Sequence, residues 1–338
     1  MAGRKATMAD VAAAAGVSVA TVDRVLNGRG GVAPDKEARI LAAARRLRLD
    51  RALQLRPNRT LRVAVLIQGP GNPFHAALQA GFDLAARLHA ELNLQFLVHH
   101  LDPNDPAAIA ALVRRQAGRV DGMIVTCPDE PRIGRALRDF AAHRPVVTLA
   151  TDLPDCGRAA YVGPDDRRAG RVAGDLMGLC LGAAGGRVLL IAGRRDIAGQ
   201  RQREEGFRAI LAERHPGIVV AAVAESREDG ERAGHLVLER LGADPAIRGI
   251  YHMSAGARPV VEALRRLGRA GETVFVTHEL TEDRRALLRE RAIAALIDQQ
   301  PELEARLAVE TMARLLGRLD GEVATVLTDF RIYLPENA

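Results

Sequence analysis

The sequence predicts a small all-α domain followed by an α/β region made of two doubly wound, parallel-sheet lobes. Three observations support this fold class. Two short amphipathic helical patterns stand near the N-terminus, a basic charge excess is confined to the same part of the chain, and apolar strands alternate with helices from residue 61 onward. Continuous apolar strands separated by helices are typical of parallel sheets covered on both faces. The chain of 338 residues is long enough for two or three such cores.

The N-terminal pattern extends from Thr7 to Asn27 and reads TMADVAAAAGVSVATVDRVLN. Thr7 followed by Asp10 predicts a capping box at the start of a first helix. Gly16 supplies the backbone freedom that a sharp turn between helices needs, and Ser18 is placed to cap a second helix. The spacing of apolar residues therefore predicts two helices joined by a tight turn.

Two helices this short cannot bury a core alone, so a third helix is expected, with Pro34 in its first turn. The residues predicted to face the shared core are Met8, Val11, Ala12, Ala15, Val22, Val25, Leu26, Ile40, Leu41, Ala44 and Leu47. The opposite face of the second helix has little apolar bulk and is available for a partner. Its residues are Val19, Ala20, Asp23, Arg24 and Asn27.

This stretch closely resembles the N-terminal signature of the LacI/GalR family of bacterial transcription regulators. The residues that carry the resemblance are Thr7, Asp10-Val11-Ala12, Ala15-Gly16-Val17-Ser18, Thr21-Val22 and Arg24-Val25-Leu26-Asn27. The resemblance implies a helix-turn-helix whose second helix lies in the major groove of double-stranded operator DNA. By position, the base contacts fall to Val19, Ala20 and Arg24, and the candidate phosphate contacts are Ser18, Thr21 and Asn27. An arginine can donate two hydrogen bonds to guanine, and small apolar groups fit a thymine methyl.

Asp23 departs from this signature, because the family usually has serine there. A carboxylate near phosphates is repulsive unless it accepts a bond from a cytosine amino group, so a phosphate contact at this position is in doubt. The alternative interpretation of the whole unit is a three-helix domain that packs on a partner protein. Exposed arginine and small residues on the second helix favour a DNA groove.

The charge distribution agrees with a DNA-binding head. Residues 1–62 contain thirteen Lys or Arg and five Asp or Glu, a net charge of +8, so the remainder carries −2 of the total of +6. The three cysteines lack metal-ligand spacing, and neither a signal peptide nor an apolar run of membrane-spanning length is apparent. The sequence thus predicts a soluble, cytoplasmic protein without a membrane partner, cofactor or metal.

The predicted organisation is a DNA-binding domain at residues 1–49, a linker at 50–60 and a ligand-sensing domain at 61–338. The first lobe is expected to comprise about 61–161 and 300–325, and the second about 162–299 and 326–338. The predicted strands begin at Leu61, Leu92, Gly122, Pro145, Arg187, Ile218, Gly249, Thr273 and Ile293. Ligand chemistry is expected where the two lobes meet, at the carboxyl ends of the strands.

The body resembles the sensing domain of the same family, which shares its fold with type I periplasmic sugar-binding proteins. Asn72-Pro73-Phe74 resembles a segment that places an amide and a ring on a sugar, with His75 where a second ring is common. Arg203-Glu204-Glu205-Gly206-Phe207 resembles a segment whose arginine donates to ligand hydroxyls. The same alignment places Thr151, Asp152, Ser254, Glu279 and Gln299 at the ligand.

Each of these residues has a structural alternative. Asn72 before a proline is also ordinary turn chemistry, Phe207 suits a core, and Asp152 and Glu279 could cap helices. The mixture of donors and acceptors suits a polyol, and all but Arg203 follow a strand directly. Arg227, if it supplied a second cation to the cleft, would favour a sugar acid or sugar phosphate over a neutral sugar.

Two other classes of function compete with this interpretation. An enzyme is disfavoured, because the third glycine of a GxGxxG motif is replaced by Phe74 and no serine stands in a GxSxG motif, so no catalytic residue is assigned. A solute-binding receptor for a sugar would share the body's fold, but would have no DNA-binding head. The sequence therefore predicts a ligand-responsive repressor that acts as a homodimer, since one recognition helix buries too little to be specific alone.

The linker departs most from the resembled family, which typically has a short hinge helix that inserts a leucine into the minor groove. Residues 50–56 are barely two helical turns, and Pro57 would end them. Leu53 and Leu55 are the candidate wedges. We expect an extended linker, with each leucine contributing well under about 1 kcal/mol to operator affinity.

Overall fold

The computed structural model describes residues 6–27, 29–47, 49 and 59–338. Its head consists of three helices, α1 (Met8–Ala15), α2 (Val19–Leu26) and α3 (Pro34–Arg46). The capping predictions are confirmed. Thr7 and Asp10 form a reciprocal capping box, Gly16 ends α1 at a φ of 65°, and the Ser18 hydroxyl accepts from the Thr21 amide.

The head core contains nearly all of the side chains expected there, with Val11, Val22 and Ile40 among its fully buried members. Met8 is an exception. It was expected to face the core but is 37% exposed at the first position of α1. The compact unit therefore leaves the outward face of α2 in solvent.

The first lobe is a six-stranded sheet with the strand order β11-β5-β4-β3-β1-β2, all of them parallel. Its strands are β1 (Leu61–Gln68), β2 (Leu94–Leu101), β3 (Gly122–Val125), β4 (Val146–Leu149), β5 (Ala160–Pro164) and β11 (Val326–Thr328). Its helices are α4 (Pro73–Leu88), α5 (Pro106–Gln116), α6 (Pro131–Ala141) and α12 (Pro301–Leu315). Apolar clusters cover both faces of this sheet, as its continuous apolar strands predicted.

The second lobe repeats this order in the sheet β12-β10-β9-β8-β6-β7, in which β12 alone is antiparallel. Its strands are β6 (Gly186–Ala192), β7 (Ile218–Glu225), β8 (Ile247–His252), β9 (Val274–His278), β10 (Ala295–Asp298) and β12 (Arg331–Tyr333). Its helices are α7 (Asp166–Leu181), α8 (Ala198–Arg214), α9 (Gly230–Ala243), α10 (Ala257–Arg266) and α11 (Glu282–Arg289). The predicted fold class, a helical head followed by two parallel-sheet lobes, is confirmed.

The boundaries between the lobes differ from the expected ones. Residues 162–164 and 326–328 were assigned to the second lobe, whereas they lie in β5 and β11 and pair with each other in the first sheet. The chain crosses between lobes just after β5, after β10 and after β11. The strands β11 and β12 were not predicted, because three-residue strands have too few residues to show a period.

No helix in the described ranges is both long and apolar enough to cross a membrane.

Candidate ligand cavity and nucleic-acid interface

A cavity of about 80 Å³ lies between the lobes, at the carboxyl ends of β1, β3 and β4 on one side and of β8, β9 and β10 on the other. This is the edge where open α/β sheets bind ligands. Eight of the nine residues predicted from the sequence line it: Asn72, Phe74, His75, Thr151, Arg203, Ser254, Glu279 and Gln299. The structure brings these side chains together, and their contact with a ligand stays a prediction.

Asp152 is the exception, and its prediction is corrected. Its carboxylate accepts from Arg158 at 2.5 and 2.7 Å and from the Thr148 hydroxyl at 3.0 Å. Ala150, at a φ of 60°, turns the chain after β4 so that Thr151 lines the cavity. Asp152 thus serves an ion pair that fastens the loop before β5.

Arg203 enters the cavity because α7 and α8 pack backbone against backbone. A Cβ atom on Gly170 would lie 2.0 Å from the Arg203 carbonyl oxygen, so only glycine permits this approach. The guanidinium of Arg203 donates to Asp166 at 2.7 Å and to the Gln299 side-chain oxygen at 2.8 Å. Burial is the largest single influence and lowers its pKa, but the attraction of Asp166, Tyr251 and Glu279 together with the hydrogen bond to Asp166 raises the pKa above its ordinary value. Arg203 therefore stays charged.

The same network reaches Glu279, which follows β9 in a left-handed conformation with a φ of 65°. Gln299 donates to Glu279 Oε1 at 2.7 Å, while Glu279 Oε2 is buried and has no protein partner among the described residues. Burial raises the pKa of Glu279 from 4.5 to about 7. An acceptor without a donor at a cavity wall is suited to a ligand hydroxyl.

The first lobe contributes a neutral wall. Asn72 caps α4 by accepting from the Phe74 amide at 3.1 Å, which confirms the structural alternative for this residue. His75 accepts from the Gln68 amide, and burial together with nearby His100 lowers its pKa to about 3. Its ring packs edge-on against Phe74 with centroids 5.2 Å apart. A neutral imidazole beside one phenyl ring forms this side of the cavity.

The charged residues Glu228 and Arg284 also line the cavity, and neither was predicted from the sequence. The cation expected from Arg227 is absent from the cavity, because Arg227 and Glu228 both have positive φ and the turn exposes the arginine while Glu228 lines the cavity. Gln200 donates to Glu228 at 2.6 Å, and burial raises the pKa of this carboxyl. Arg284 donates to the Ser254 carbonyl at 2.9 Å, and burial lowers its pKa. A positive-φ pair after β7 has no sequence signature when neither residue is glycine.

Direct contacts join the lobes on either side of the cavity. Gly199 donates from its backbone to the Thr151 hydroxyl at 2.9 Å, and Asn72 donates to Glu228 at 3.4 Å. Further out, Arg201 pairs with Asp129 at 3.0 Å. The cleft is therefore closed over a small polar space.

The predicted DNA-binding residues lie together on the outward side of α2. Ser18, Val19, Ala20 and Arg24 are exposed, and Thr21 and Asn27 are half-buried. Ser18 and Thr21 hydroxyls hydrogen-bond at 2.8 Å. Arg24 donates to the Gly30 carbonyl, so its guanidinium must leave that carbonyl to reach a base edge.

Asp23 has local partners that explain how a carboxylate is tolerated on this surface. The Asn27 amide donates to it at 2.6 Å, and Arg29 pairs with it at 3.0 Å. These contacts offset the repulsion expected near phosphates, and they engage Asn27, whose phosphate contact stays a prediction. The expectations for Leu53, Leu55 and the hinge lie outside the described residues.

Comparison with known proteins agrees with both halves of this architecture. Residues 7–48 match the lacI family of bacterial regulatory proteins, and residues 63–321 match the periplasmic binding protein domain. A helix-turn-helix head on a two-lobed binding body defines a DNA-binding regulator with a small-molecule domain. The chain belongs to the lacI family of bacterial regulatory proteins, and its body belongs to the periplasmic binding protein domain family.

Several relatives are similar over most of their length. The transcriptional regulator DegA of Bacillus subtilis is 27% identical over 70% of either chain, and GalS of Salmonella typhimurium is 26% identical over 74% of either chain. The ribose import binding protein RbsB of Haemophilus influenzae is 24% identical over 75% of this chain and 85% of its own. The glucose-galactose binding protein GanP of Geobacillus stearothermophilus superposes with a TM-score of 0.74 at 23% identity, covering 82% of this chain and 99% of GanP. These relatives are regulators and binding proteins.

Proposed function

We propose that this regulator senses a sugar or related hydroxylated metabolite in the cavity and that ligand changes its affinity for operator DNA. The observation that carries the proposal is the cavity's mixed chemistry. Amide and guanidinium donors stand beside carboxylate acceptors, and both lobes contribute to the wall. Sugar hydroxyls donate and accept at once, so they match such a wall.

The charges favour a neutral sugar over a sugar acid or sugar phosphate. Arg203 is matched by buried Asp166, and Arg284 stands near the carboxyls of Glu228 and Glu279. The three carboxyl groups outnumber the two cations, so both cations are offset before any ligand enters and an anionic ligand would gain little from either. The names of RbsB and GanP, which refer to ribose, glucose and galactose, support the same class.

Closure of the cleft is the step that couples ligand to DNA. A ligand held by Asn72 on one lobe and Arg203 on the other is bound fully only when the lobes approach. It shifts operator affinity because it binds the two lobe arrangements differently. The contacts of Thr151 with Gly199 and of Arg201 with Asp129 support the closed arrangement.

Specific binding to operator DNA requires two DNA-binding heads. The recognition helix α2 has eight residues, so a homodimer on a pseudo-palindromic operator supplies the second set of contacts. We propose that this dimer acts in the cytoplasm as a repressor.

A thermal-shift screen of the full-length protein tests the ligand class. Neutral sugars, sugar acids and sugar phosphates are compared, and we expect a neutral sugar to raise the unfolding temperature most. The active compound is then added to an operator-binding assay, in which it must change the affinity. If only the anionic compounds stabilise the protein, the charge argument is wrong, and if no compound does so the sensing proposal is wrong.

Arg24→Ala tests whether the side chain of Arg24 recognises a base of the operator. We expect it to weaken operator binding by about 1–3 kcal/mol and to relax the preference at one base position. Lys36→Ala is the matched control, because it removes the same charge from an exposed position on α3 that has no predicted base contact. Equal losses of Arg24→Ala on operator and random DNA would reduce Arg24 to a phosphate contact.

A further inference from the structure

Four arginines surround a groove at the amino ends of the first lobe's strands, at the opposite edge from the cavity. They are Arg59, Arg62, Arg119 and Arg144, and we call them the arginine foot. All four are exposed, and the groove between them has a volume of about 760 Å³. No step of ligand binding described above uses them.

The foot carries more positive charge than its surroundings offset. Among the described residues that line the groove, Asp121 supplies the carboxylate, which is buried and accepts from the Arg59 guanidinium at 2.7 Å and from the Arg62 backbone amide at 2.9 Å. Within the described ranges, Arg62, Arg119 and Arg144 have no salt-bridge partner. The foot therefore presents three uncompensated charges.

This concentration of arginines without a salt-bridge partner distinguishes the foot from the rest of the body. Many exposed arginines of the second lobe are paired, as Arg187 is with Asp244 and Arg265 is with Glu290. Arg119 and Arg144 belong to the part of the chain beyond residue 62, which is net negative, so their place in a positive patch does not follow from the overall charge of that part.

The foot lies where the DNA-binding head joins the body. Residues 59–61 lead directly into β1, and the start of α3 lies over the same region, with Asp35 and Ala38 sharing a groove with Arg59 and Arg144. The head is tethered through the ten residue-to-residue steps from Leu49 to Arg59, which span about 33 Å at ~3.3 Å per residue when fully extended. DNA held by the head is thus within reach of the foot.

We propose that the arginine foot is a second phosphate-binding surface that contacts the operator backbone beside the half-site read by α2. Guanidinium groups bind phosphate oxygens with two parallel hydrogen bonds, and such contacts fix a protein's position without reading sequence. The foot then supplies affinity and orientation while α2 supplies specificity.

The test compares full-length variants on operator and on random-sequence duplexes across a range of salt concentrations. Arg62→Gln, Arg119→Gln and Arg144→Gln are combined in the foot variant. The matched control combines Arg132→Gln, Arg135→Gln and Arg266→Gln, which removes the same charge from exposed arginines far from the foot. We expect the slope of log affinity against log salt to fall by about 0.9 for each phosphate that the foot variant no longer neutralises, with similar decreases on both duplexes.

A second variant combines Arg62→Lys, Arg119→Lys and Arg144→Lys, and it distinguishes a loss of charge from a loss of folding. It keeps the charge, so most of the salt dependence should remain, while the glutamine variant should match wild type in thermal unfolding. If the foot variant and the control variant have the same slope of log affinity against log salt, the proposal is wrong. The arginine foot then faces solvent or binds an acidic protein partner. A folded lysine variant that loses binding as completely as the glutamine variant overturns it as well.

Discussion

The two lobes share one strand order but supply different chemistry to the cavity. The second lobe contributes buried charges, Arg203, Arg284, Glu228 and Glu279, joined by hydrogen bonds to amides. The first lobe contributes neutral groups, among them Asn72 and the uncharged ring of His75. Similar topology therefore does not imply equivalent roles. We infer that the second lobe holds and orients the ligand, and that the first lobe covers it.

Arg203→Ala should have the largest effect, because it removes one partner of a buried ion pair in the second lobe. Asp166 would be left buried without its cation, so we expect the free energy of unfolding to fall by about 3–5 kcal/mol, measured by chemical denaturation. The response of operator binding to ligand should be lost, while ligand-free DNA binding persists.

The control for this change is Arg208→Ala on the same helix. Arg208 is 47% exposed and pairs with Glu204 one turn away, so its loss should alter stability by only about 0.5 kcal/mol. If calorimetry found that Arg203→Ala binds ligand as tightly as wild type, the second lobe would not be the orienting wall.

Glu279 should make ligand affinity depend on pH. Its folded pKa of about 7 lies above its ordinary value of 4.5, so folded protein retains a proton that the unfolded chain has released, and stability falls as pH rises between these values. A ligand hydroxyl that donates to Glu279 Oε2 favours the ionised form. Affinity should then increase by at most about tenfold per pH unit below pH 7 and level off above it.

Calorimetry at several pH values checks this expectation, with Glu279→Gln predicted to remove the pH dependence. Glu282→Gln is the control, since that carboxylate is 90% exposed and close in sequence. Wild-type affinity that is constant from pH 5 to about 8 would show that the ligand makes no contact favouring the ionised Glu279.

The smallest effects should come from the first lobe, where two neighbouring residues can be separated. Asp152→Asn weakens a partly exposed pair with Arg158, so we expect a loss of under about 1 kcal/mol of stability and unchanged ligand affinity. Thr151→Ala removes the acceptor of the Gly199 amide and should weaken ligand binding by favouring an open cleft. If ligand titrations showed weaker binding for Asp152→Asn and unchanged binding for Thr151→Ala, Asp152 would belong to the ligand site.

The cavity could be predicted from the sequence as far as strand order and local signals reach. Gln299 and Ser254 were found because both follow apolar strands, and parallel strands bring their carboxyl ends to one edge. Arg203 was found through a motif resemblance. The structure adds that glycine packing between α7 and α8 delivers it to the cavity.

What the sequence determined by itself is local in origin. Each signal in the head acts over a few residues: Thr7 caps α1 together with Asp10, Gly16 ends it, and Ser18 caps α2. The head's helices and turn therefore follow from short-range capping and backbone preference. The apolar strands determined the class of the body in the same way, because burial on both faces leaves a continuous apolar run.

Only the tertiary structure decided which of two adjacent polar residues lines the cavity. Thr151 rather than Asp152, and Glu228 rather than Arg227, line the cavity, because Ala150 after β4 and the pair Arg227 and Glu228 after β7 redirect the chain at positive φ. Packing of the surrounding elements maintains those conformations in residues that do not favour them. A one-residue change of direction reverses the charge offered to a ligand, and no pattern in the sequence marks it.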